Sequence, residues 1–539
     1  MGAWGALAEA CPVCDAPGPH GVLLESEGLR LARCGSCRCC FYAERIAYRY
    51  EAAAAAALLL QFSLEQNAGV YHQTRLLFAV EHSGSVLDVG CGFGFAVAAA
   101  AALGWRACGI DPSPAAGSGA ALLGADIRQS YLTDETELGA AFGLVLASEV
   151  IEHVPQPSAF LGLLRRALEP GGTLVLTTPD ADALRPGLDA ASLTGILALR
   201  VHLVLFSREG LSLALQRAGF RHVRVEAQGD GLTAYASDRP LRMRGDAEAA
   251  HLAAYRGLLE GFLESQAAGS ALWNGAAGRL LALLAPAAPL EALHGLFTRI
   301  VAAWRARFGI DLAGGWSEER PALDAGALAA GQPLNLAVVL LGRAVLEDRT
   351  PGRTPEAVLL WARPALREAV RTAALLRAEN LIDLDLQRVA AEARLLIGDR
   401  LGELAPELQG EVLLGLAAGA DDVGVAVRIA GAFADRVQAD QFAAARVLAP
   451  WMGDFDRLGG LLAGSPGLLL RSLFTVGVLR LIDAGDARGA LAAFTRLERE
   501  AGRLRGDPRQ RSLARDFLRL AQEHKRLAAT RLLGESSPT

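Results

Sequence analysis

One stretch, Ser85–Gly94 (SVLDVGCGFG), constrains the fold of this chain more than any other. An apolar run ends in an acid and is followed by three glycines at alternate positions, and the alanine-rich run Phe95–Leu103 is predicted to be a helix. Strand, glycine turn and helix are how an α/β sheet brings its backbone close to a nucleotide-like ligand, because glycine lacks the Cβ that would block the approach. The helix N-terminus then offers free N–H groups to an anion.

The residues that follow narrow the choice of ligand. Ala107–Asp111 is predicted to be a second short strand that ends in an acid, and such an acid can bind both ribose hydroxyls of an adenosine. This pattern fits a dinucleotide or S-adenosylmethionine. The dinucleotide fingerprint requires a third glycine where this chain has Phe95, and Asp88 stands two residues before the first glycine.

Four motifs in order resemble those of class I S-adenosylmethionine-dependent methyltransferases: LDVGCGFG, GIDPSP, SEVIEHV and LEPGGT, which begin at residues 87, 109, 148 and 168. The resemblance covers about residues 65–235 and implies a Rossmann-like α/β fold with seven strands, the last antiparallel. Alternating strand and helix patterns agree with a parallel sheet. The predicted strands are residues 85–89, 106–110, 126–129, 142–147 and 173–177, with 223–227 and 232–236 as a closing antiparallel pair.

This resemblance implies S-adenosyl-L-methionine as cofactor, bound at the carboxyl ends of the strands. Asp88 and the glycine loop surround its methionine part, and Asp111 binds the ribose. Tyr131 stands where an acid that binds adenine is usual, so adenine is bound by the backbone or by stacking on Tyr131. The predicted cofactor-binding residues are Asp88, Gly90, Cys91, Gly92, Gly94, Asp111, Pro112, Tyr131, Ser148 and Glu149.

The segment Glu149–His153 leaves three interpretations open. In the first, Glu149 contacts the cofactor while Glu152 and His153 hold the loop. In the second, His153 is a general base, because its pKa lies near neutral pH. In the third, Glu149, Glu152 and His153 bind a divalent cation, similar to the Glu-x-x-Glu-His pattern of ubiquinone-biosynthesis O-methyltransferases.

A third catalytic candidate joins Glu149 and His153. His202 lies in a stretch that resembles one common in these enzymes before their last helix, and residues 180–205 occupy the place of a substrate lid. His202 therefore either faces the substrate or has a structural role.

Six of the eight cysteines lie within residues 1–45. Cys11-Pro-Val-Cys14 and Cys34-Gly-Ser-Cys37 are nineteen residues apart, a spacing typical of a structural Cys₄ zinc site. Disulfides are the alternative, against which the lack of an export signal argues. Cys39 and Cys40 are buried apolar groups, or one of them replaces Cys37 as ligand. Bacterial methyltransferases of sugars and other small molecules resemble this arrangement, with a short zinc module before the transferase domain.

Composition excludes several classes of protein. The formal net charge is −6 and no block of Lys or Arg is present, so no nucleic-acid partner is expected. The first ten residues lack the pattern of a signal peptide, and the apolar run Ala52–Leu60 is too short to span a bilayer. We therefore expect a cytoplasmic protein.

The second half of the chain is predicted to be helical. Residues 237–539 contain amphipathic runs rich in Ala, Leu and Arg. Residues 486–494 faintly resemble a tetratricopeptide helix, but without a strict repeat period an irregular helical repeat or bundle is predicted. The predicted division is a zinc module at 1–45, the methyltransferase domain at 46–236, a helical segment at 237–313, a linker at Gly314–Pro333 and a helical domain at 330–539.

The expected activity is transfer of a methyl group from S-adenosylmethionine to an oxygen, nitrogen or carbon atom of a small-molecule or sugar acceptor. Two alternatives use the helical half as a docking surface for a partner protein. In one of them the partner is the substrate of a protein methyltransferase. In the other the whole chain is a partner-binding scaffold.

Overall fold

Three parts follow one another along the chain: a small sheet that carries the cysteines, a larger sheet covered by helices, and a long run of helices. The computed structural model describes residues 6–43 except 27, 57–185 except 67, 190–312 except 200, 332–400 except 379–383, 465–507 except 484 and 485, and 510–535, with isolated residues between them. Most of the predicted linker Gly314–Pro333 lies outside these residues.

The elements are numbered in chain order. The strands are β1 (Ala6–Leu7), β2 (His20–Ser26), β3 (Leu29–Arg33), β4 (Cys40–Tyr42), β5 (Ser85–Val89), β6 (Arg106–Ile110), β7 (Ile127–Arg128), β8 (Phe142–Ser148), β9 (Leu168–Pro179), β10 (Val204–Leu205), β11 (His222–Gln228) and β12 (Gly231–Ser237). The helices up to the end of the larger sheet are α1 (Ala57–Gln66), α2 (Ala68–Leu76), α3 (Phe95–Ala102), α4 (Pro114–Leu123), α5 (Pro157–Arg166), α6 (Ala190–Leu197) and α7 (Arg208–Arg217). Those that follow are α8 (Ala247–Ser265), α9 (Ala271–Leu284), α10 (Leu290–Phe308), α11 (Leu336–Arg349), α12 (Pro355–Ala378), α13 (Leu384–Arg400), α14 (Pro466–Val478), α15 (Ala487–Leu504) and α16 (Arg511–Glu535).

In the described part of the chain, seven strands form the larger sheet in the order β11-β12-β9-β8-β5-β6-β7. β5 to β9 are parallel, and β12 is antiparallel to both β9 and β11, which confirms the predicted Rossmann-like sheet. The predicted strand at 126–129 is only two residues long, because β7 pairs at the sheet edge with Gly109 and Ile110 alone. β9 is longer than predicted, since it has a partner on each side.

The small sheet has a strand that comes from far along the chain. β1 to β4 follow one another as antiparallel neighbours. β10 then pairs with β4, with Val204 opposite Phe41 and Leu205 opposite Cys40. The cysteine-bearing segment and the segment before α7 therefore share one sheet.

Helices cover both faces of the larger sheet. On one face, α5 and α7 pack against the buried side chains of β5, β8 and β9. Phe41 of β4 joins the same cluster, as do Cys11 and Cys34 from the turns beside the small sheet. On the other face lie α2, α3 and α8. Strands covered in this way are near-continuous apolar runs, as the sequence of β8 shows.

The helical half continues the second cluster. Phe262 of α8 packs on Phe95 of α3 with ring centroids 6.2 Å apart, and α9 lies against α1. The cluster extends from there through α11, α12 and α13 to α14 and α15. The predicted helical runs are thus confirmed, and within the described residues no helix is both long and apolar enough to cross a membrane.

Candidate active site and cysteine cluster

The loop after β5 accepts only glycine at two of its positions. Gly90 and Gly94 both have φ of 76°. A Cβ on Gly90 would lie 2.4 Å from Cγ2 of Val150, and one on Gly94 would lie 2.2 Å from Cδ1 of Ile127. The backbone at the end of β5 therefore approaches its neighbours more closely than any other residue type allows.

Two acids meet behind this loop. Asp111 accepts hydrogen bonds from the backbone N–H of Gly92 at 2.9 Å and of Ser113 at 2.8 Å, so it ties the end of β6 to the loop. Asp88 is 3% exposed, and its Oδ2 has no hydrogen-bond partner among the described residues. Burial, with the charge of Asp111, raises the pKa of Asp88 to about 7. A buried carboxyl with an unpartnered oxygen suits a cationic group of a ligand.

A cavity of about 500 Å³ opens at the carboxyl ends of β5, β6 and β8. This is the position in which open α/β sheets bind ligands. The predicted residues that line it are Gly90, Asp111, Pro112, Tyr131, Glu149 and His153. The predicted residues that do not line it are Asp88, Cys91, Gly92, Gly94, Ser148 and His202.

Most of the remaining wall is apolar and was missed by the sequence analysis. Phe160 and Leu163 come from α5, Val150 and Val154 flank His153, and Leu132 follows Tyr131. Phe160 and Leu163 could have been found from the sequence, because they are three residues apart after Pro157, where the helix begins, and such a spacing places them on one face of a helix. Apolar walls beside a carboxylate, here Asp111, are suited to a flat aromatic base.

Glu149 holds a backbone conformation that non-glycine residues seldom adopt. Its φ is 55°, and its N–H donates to the carbonyl oxygen of Thr177 at 3.0 Å. The hydroxyls of Ser148 and Thr177 are hydrogen-bonded at 2.8 Å, which ties β8 to β9 at the same level. Burial raises the pKa of Glu149. The turn after β8 is therefore fixed where it enters the cavity wall.

Glu152 is fully buried at the start of the next turn. Its Oε2 accepts a hydrogen bond from the hydroxyl of Thr178 at 3.0 Å. Its Oε1 has no hydrogen-bond partner among the described residues and lies 3.7 Å from Nε2 of His153. Burial, reinforced by the charge of Glu149, raises the pKa of Glu152 well above its ordinary value.

The two candidate histidines lie together. Their rings are 4.8 Å apart between centroids, and each Nδ1 faces a backbone carbonyl: Val201 for His153 at 3.1 Å and Ile196 for His202 at 2.7 Å. A carbonyl only accepts, so Nδ1 carries the proton and Nε2 the lone pair of each neutral ring. Burial lowers both pKa values, that of His202 to about 4, so both rings are neutral at pH 7.

These side chains also offer ligands for a metal ion. One ligand atom from each of Glu152, His153 and His202 lies within 4.8 Å of the others. The predicted ligand set was Glu149, Glu152 and His153, whereas the structure groups His202 with Glu152 and His153. The reason is that the N–H of Leu203 donates to the carbonyl of Glu152 at 2.7 Å, which brings the neighbouring His202 to this turn. Imidazole and carboxylate together suit a divalent cation.

The four predicted zinc ligands form one cluster. The Sγ atoms of Cys11 and Cys37 are 3.5 Å apart, as are those of Cys14 and Cys34, and all four lie within 4.8 Å of one another. A tetrahedron with Zn–S bonds of about 2.3 Å has S···S edges of about 3.8 Å, so the cluster fits Zn²⁺ closely.

The two Cys-x-x-Cys turns have the same backbone. Asp15 and Arg38, each directly after the second cysteine, have φ near 60° and donate their N–H to the carbonyl of the first. Cys39 is outside the cluster, with its Sγ 4.0 Å from the hydroxyl of Ser207. Burial alone would raise the pKa of Cys34, but the backbone amides of Cys37 and Ser36 lower the pKa to about 7. This environment favours the thiolate that binds a metal.

The comparisons with known proteins concern the middle of the chain. The family model of a methyltransferase domain matches residues 49–225. A ubiquinone biosynthesis O-methyltransferase from Bradyrhizobium sp. (strain ORS 278) is 36% identical over 99 residues, which cover 17% of this chain and 39% of that protein. One from Rhodopseudomonas palustris (strain HaA2) is 39% identical over 101 residues, with coverage of 17% and 39%. The chain thus spans about two fifths of the length of these curated relatives.

Similar solved structures cover about a third of the chain. An O-methyltransferase family protein from Burkholderia thailandensis has a TM-score of 0.29 at 15% identity, covering 36% of this chain and 65% of that chain. A SAM-dependent methyltransferase from Bacteroides fragilis, in complex with S-adenosyl-L-homocysteine, has a TM-score of 0.26 at 22% identity, covering 33% and 81%. The family match thus assigns a methyltransferase domain to residues 49–225, a range that contains most strands of the larger sheet.

Proposed function

We propose that this protein transfers a methyl group from S-adenosylmethionine to a hydroxyl oxygen of a small-molecule or sugar acceptor. The observation that carries the proposal is one cavity that has the glycine loop and Asp111 on one side and His153 on the other. The methyltransferase domain match supports the same reaction. Because the relatives are covered only in part, the acceptor is proposed by class and not by name.

Each side of the cavity has its own part in the reaction. When bound, S-adenosylmethionine supplies an electrophilic methyl group on a sulfonium. Asp111 would hold the ribose, and Asp88, buried behind the glycine loop, would attract the cationic amine of the methionine part. The bound cofactor would supply its methyl group to the acceptor oxygen and leave as S-adenosylhomocysteine, and Nε2 of His153 would take the hydroxyl proton. Most of the rate gain comes from holding the two reactants in line, and the base adds to it.

A divalent cation is a second way to activate the same hydroxyl. Glu152, His153 and His202 would hold the ion, which would lower the pKa of a bound hydroxyl. Both Nδ1 atoms facing backbone carbonyls agree with this role, since metal-binding histidines are usually held in that way. The two versions differ in one measurement. A chelator too weak to remove zinc from the cysteine cluster abolishes turnover in the second version and leaves it unchanged in the first.

The test begins with the cofactor. Calorimetric titration of the full chain with S-adenosylmethionine should show micromolar binding, and Asp111→Ala should lose it. Asp134→Ala is the matched control, because Asp134 is an exposed acid that pairs with Arg166 on the surface. Formation of S-adenosylhomocysteine from a panel of hydroxylated acceptors then tests the transfer. A folded, zinc-loaded protein that does not bind the cofactor would contradict the proposal.

The proposals for the other regions are coarser. The cysteine cluster is proposed to bind structural Zn²⁺, which metal analysis of the purified chain tests. The division into four domains remains a proposal, as does a protein partner on the helical half. In the helical half, α8 contacts α3 and α9 contacts α1, so these helices help to complete the core of the transferase.

A further inference from the structure

Leu203 links the cysteine module, the part of the chain that carries β1 to β4 and the four clustered cysteines, to the candidate active site. Leu203 accepts a backbone hydrogen bond from Tyr42 of β4 at 3.3 Å, and its own N–H donates to the carbonyl of Glu152 at 2.7 Å. His202 is the residue directly before it. The strand that follows, β10, is the fifth strand of the module's sheet. The module is therefore two hydrogen bonds away from the turn that carries Glu152 and His153.

The module and the lid segment also share a hydrophobic core. Its buried residues come from β3 and β4 and from the segment between β9 and α7, namely Leu31, Cys40, Tyr42, Ala181, Ile196, Leu197 and Leu205. Ile196 also contacts the candidate site, because its carbonyl oxygen accepts a hydrogen bond from Nδ1 of His202 at 2.7 Å. Displacement of α6 from the module would therefore move the group that orients the His202 ring.

Two arginines of the module hold the start of the lid. Arg33 donates to the carbonyl oxygen of Ala181 at 2.6 Å. Arg38 pairs with Asp182, with its Nη2 2.5 Å from Oδ1, but this pair is exposed and contributes little. The contact of Arg33 is partly buried, so it is the stronger link between the two segments.

The second Cys-x-x-Cys turn connects β3 directly to β4. Cys34 follows the last residue of β3, and its N–H donates to the carbonyl of Cys39 at 2.9 Å. On the other side, the hydroxyl of Ser207 donates to the carbonyl of Cys37 at 2.5 Å and accepts from the N–H of Gly210. A metal ion held by Cys34 and Cys37 would fix both the strand that pairs with β10 and the end of the β10 segment.

We propose that the cysteine module, with Zn²⁺ bound, is a positioning element of the acceptor side: it holds Ala181, the end of α6 and β10, and thereby sets the place of His202 against His153 and Glu152. The inference rests on the proposed function only in taking His153 to face the acceptor; His202 does not line the cavity and acts through its packing against the His153 ring. The cofactor side is separate, because none of the residues that line the cavity belongs to the module or to residues 180–205. Loss of the module's hold should therefore affect His202 and leave cofactor binding unchanged.

The first experiment compares two arginines by hydrogen–deuterium exchange in the full, zinc-loaded chain. Arg33→Ala removes a link from the module to the lid. The matched control, Arg217→Ala, removes a link from the module to α7, where Arg217 donates to the carbonyl of Val13 and pairs with Asp15. We expect exchange in residues 196–206 to rise at least tenfold in Arg33→Ala alone, with zinc content and cofactor affinity unchanged. Equal exchange in the two variants overturns the proposal.

The second experiment removes the metal from the wild-type chain with a chelator that binds zinc tightly. Exchange in residues 196–206 and modification of His202 by diethyl pyrocarbonate should both rise, while residues 85–111 keep their protection. Unchanged exchange and modification after zinc loss overturn the proposal. Failure of the proposed function is seen separately, as absent cofactor binding by the wild type, and leaves both exchange comparisons informative.

Discussion

At the scale of single residues, Asp88 combines burial with an unpartnered oxygen. Its pKa in the folded protein, about 7, lies above its ordinary value, so the stability it contributes is present below about pH 4 and is lost as the pH rises through 7. We predict that Asp88→Asn, which keeps the shape and removes the charge, makes the cofactor-free protein more stable relative to the wild type at pH 8 than it does at pH 5. The same change should weaken S-adenosylmethionine binding at least tenfold.

Thermal melts of both proteins from pH 5 to pH 8 check the first expectation, and calorimetry checks the second. Parallel melting profiles would show that Asp88 is charged throughout this range. Asp134→Asn, on the surface, should follow the wild type in both measurements.

His153 is predicted to act in the chemical step and not in cofactor binding. His153→Ala should lower kcat by about 10²–10⁴-fold, the usual contribution of a positioned acid–base group, while the affinity for S-adenosylmethionine changes little. Because burial lowers the pKa of His153 below its ordinary value of 6.5, the wild-type rate should fall as the pH decreases with a midpoint below pH 6.5. Steady-state kinetics over this range, with calorimetry beside it, make the check. An unchanged kcat in His153→Ala would remove it from the mechanism.

At the scale of elements, α4 carries two glycines that differ in their surroundings. A Cβ on Gly119 would lie 2.0 Å from the carbonyl oxygen of Phe93 in the glycine loop, whereas one on Gly117 would lie 3.0 Å from the flexible end of Gln129. We predict that Gly119→Ala destabilises the protein by about 1–3 kcal/mol and weakens cofactor binding, because the loop must move.

Gly117→Ala is the matched control on the same helix. Its smaller clash is offset by the higher helix propensity of alanine, which is about 1 kcal/mol more favourable than that of glycine, so we expect little change in stability. Thermal denaturation and calorimetry compare the two variants. If both variants have the same stability, α4 does not set the position of the loop.

The elements also show how much the sequence could predict. The unit β5–glycine loop–α3 and the order of the larger sheet follow from local patterns and ordered motifs, and the structure and the family match confirm them. The cysteine cluster is likewise found at its predicted residues. These features depend on neighbours in sequence, for which the spacing of residue types is informative.

Long-range features of the site could not be predicted in this way. β10 joins the module's sheet through two residue pairs, Phe41–Val204 and Cys40–Leu205, and so short a strand has no periodicity of its own. The hydrogen bond between Leu203 and Glu152, which places His202 beside His153, also joins residues far apart in sequence and so has no local pattern. The left-handed backbone of Glu149 has no sequence signal either, since it depends on its hydrogen bond to Thr177. The roles of the predicted site residues remain predictions.

At the scale of the whole molecule, the helical half and the transferase share one core. Phe262 of α8 is 8% exposed and packs against Phe95, the first residue of the helix after the glycine loop. We predict that Phe262→Ala destabilises the protein by about 3 kcal/mol or more and lowers the melting temperature seen in the presence of S-adenosylmethionine as well.

The control for this variant is Leu360→Ala, at a side chain that is 51% exposed, with an expected change within about 0.5 kcal/mol. Differential scanning calorimetry with and without cofactor makes the measurement. The prediction is contradicted if the protein unfolds in two transitions and Phe262→Ala lowers only the one that the cofactor does not raise. The helical half would then unfold separately from the transferase core.

The pairing of β4 with β10 has a consequence for how such proteins can be diversified. A β10 segment exchanged by itself between two related proteins would arrive without the strand β4 with which it pairs, and a cysteine module exchanged by itself would pair with a foreign β10 segment. The strands β1 to β4 and β10 therefore form one unit of inheritance, although β5 to β9 of the larger sheet lie between them along the chain. Changes in acceptor preference should accumulate in both segments together, and a chimera that respects this pairing is the one to build.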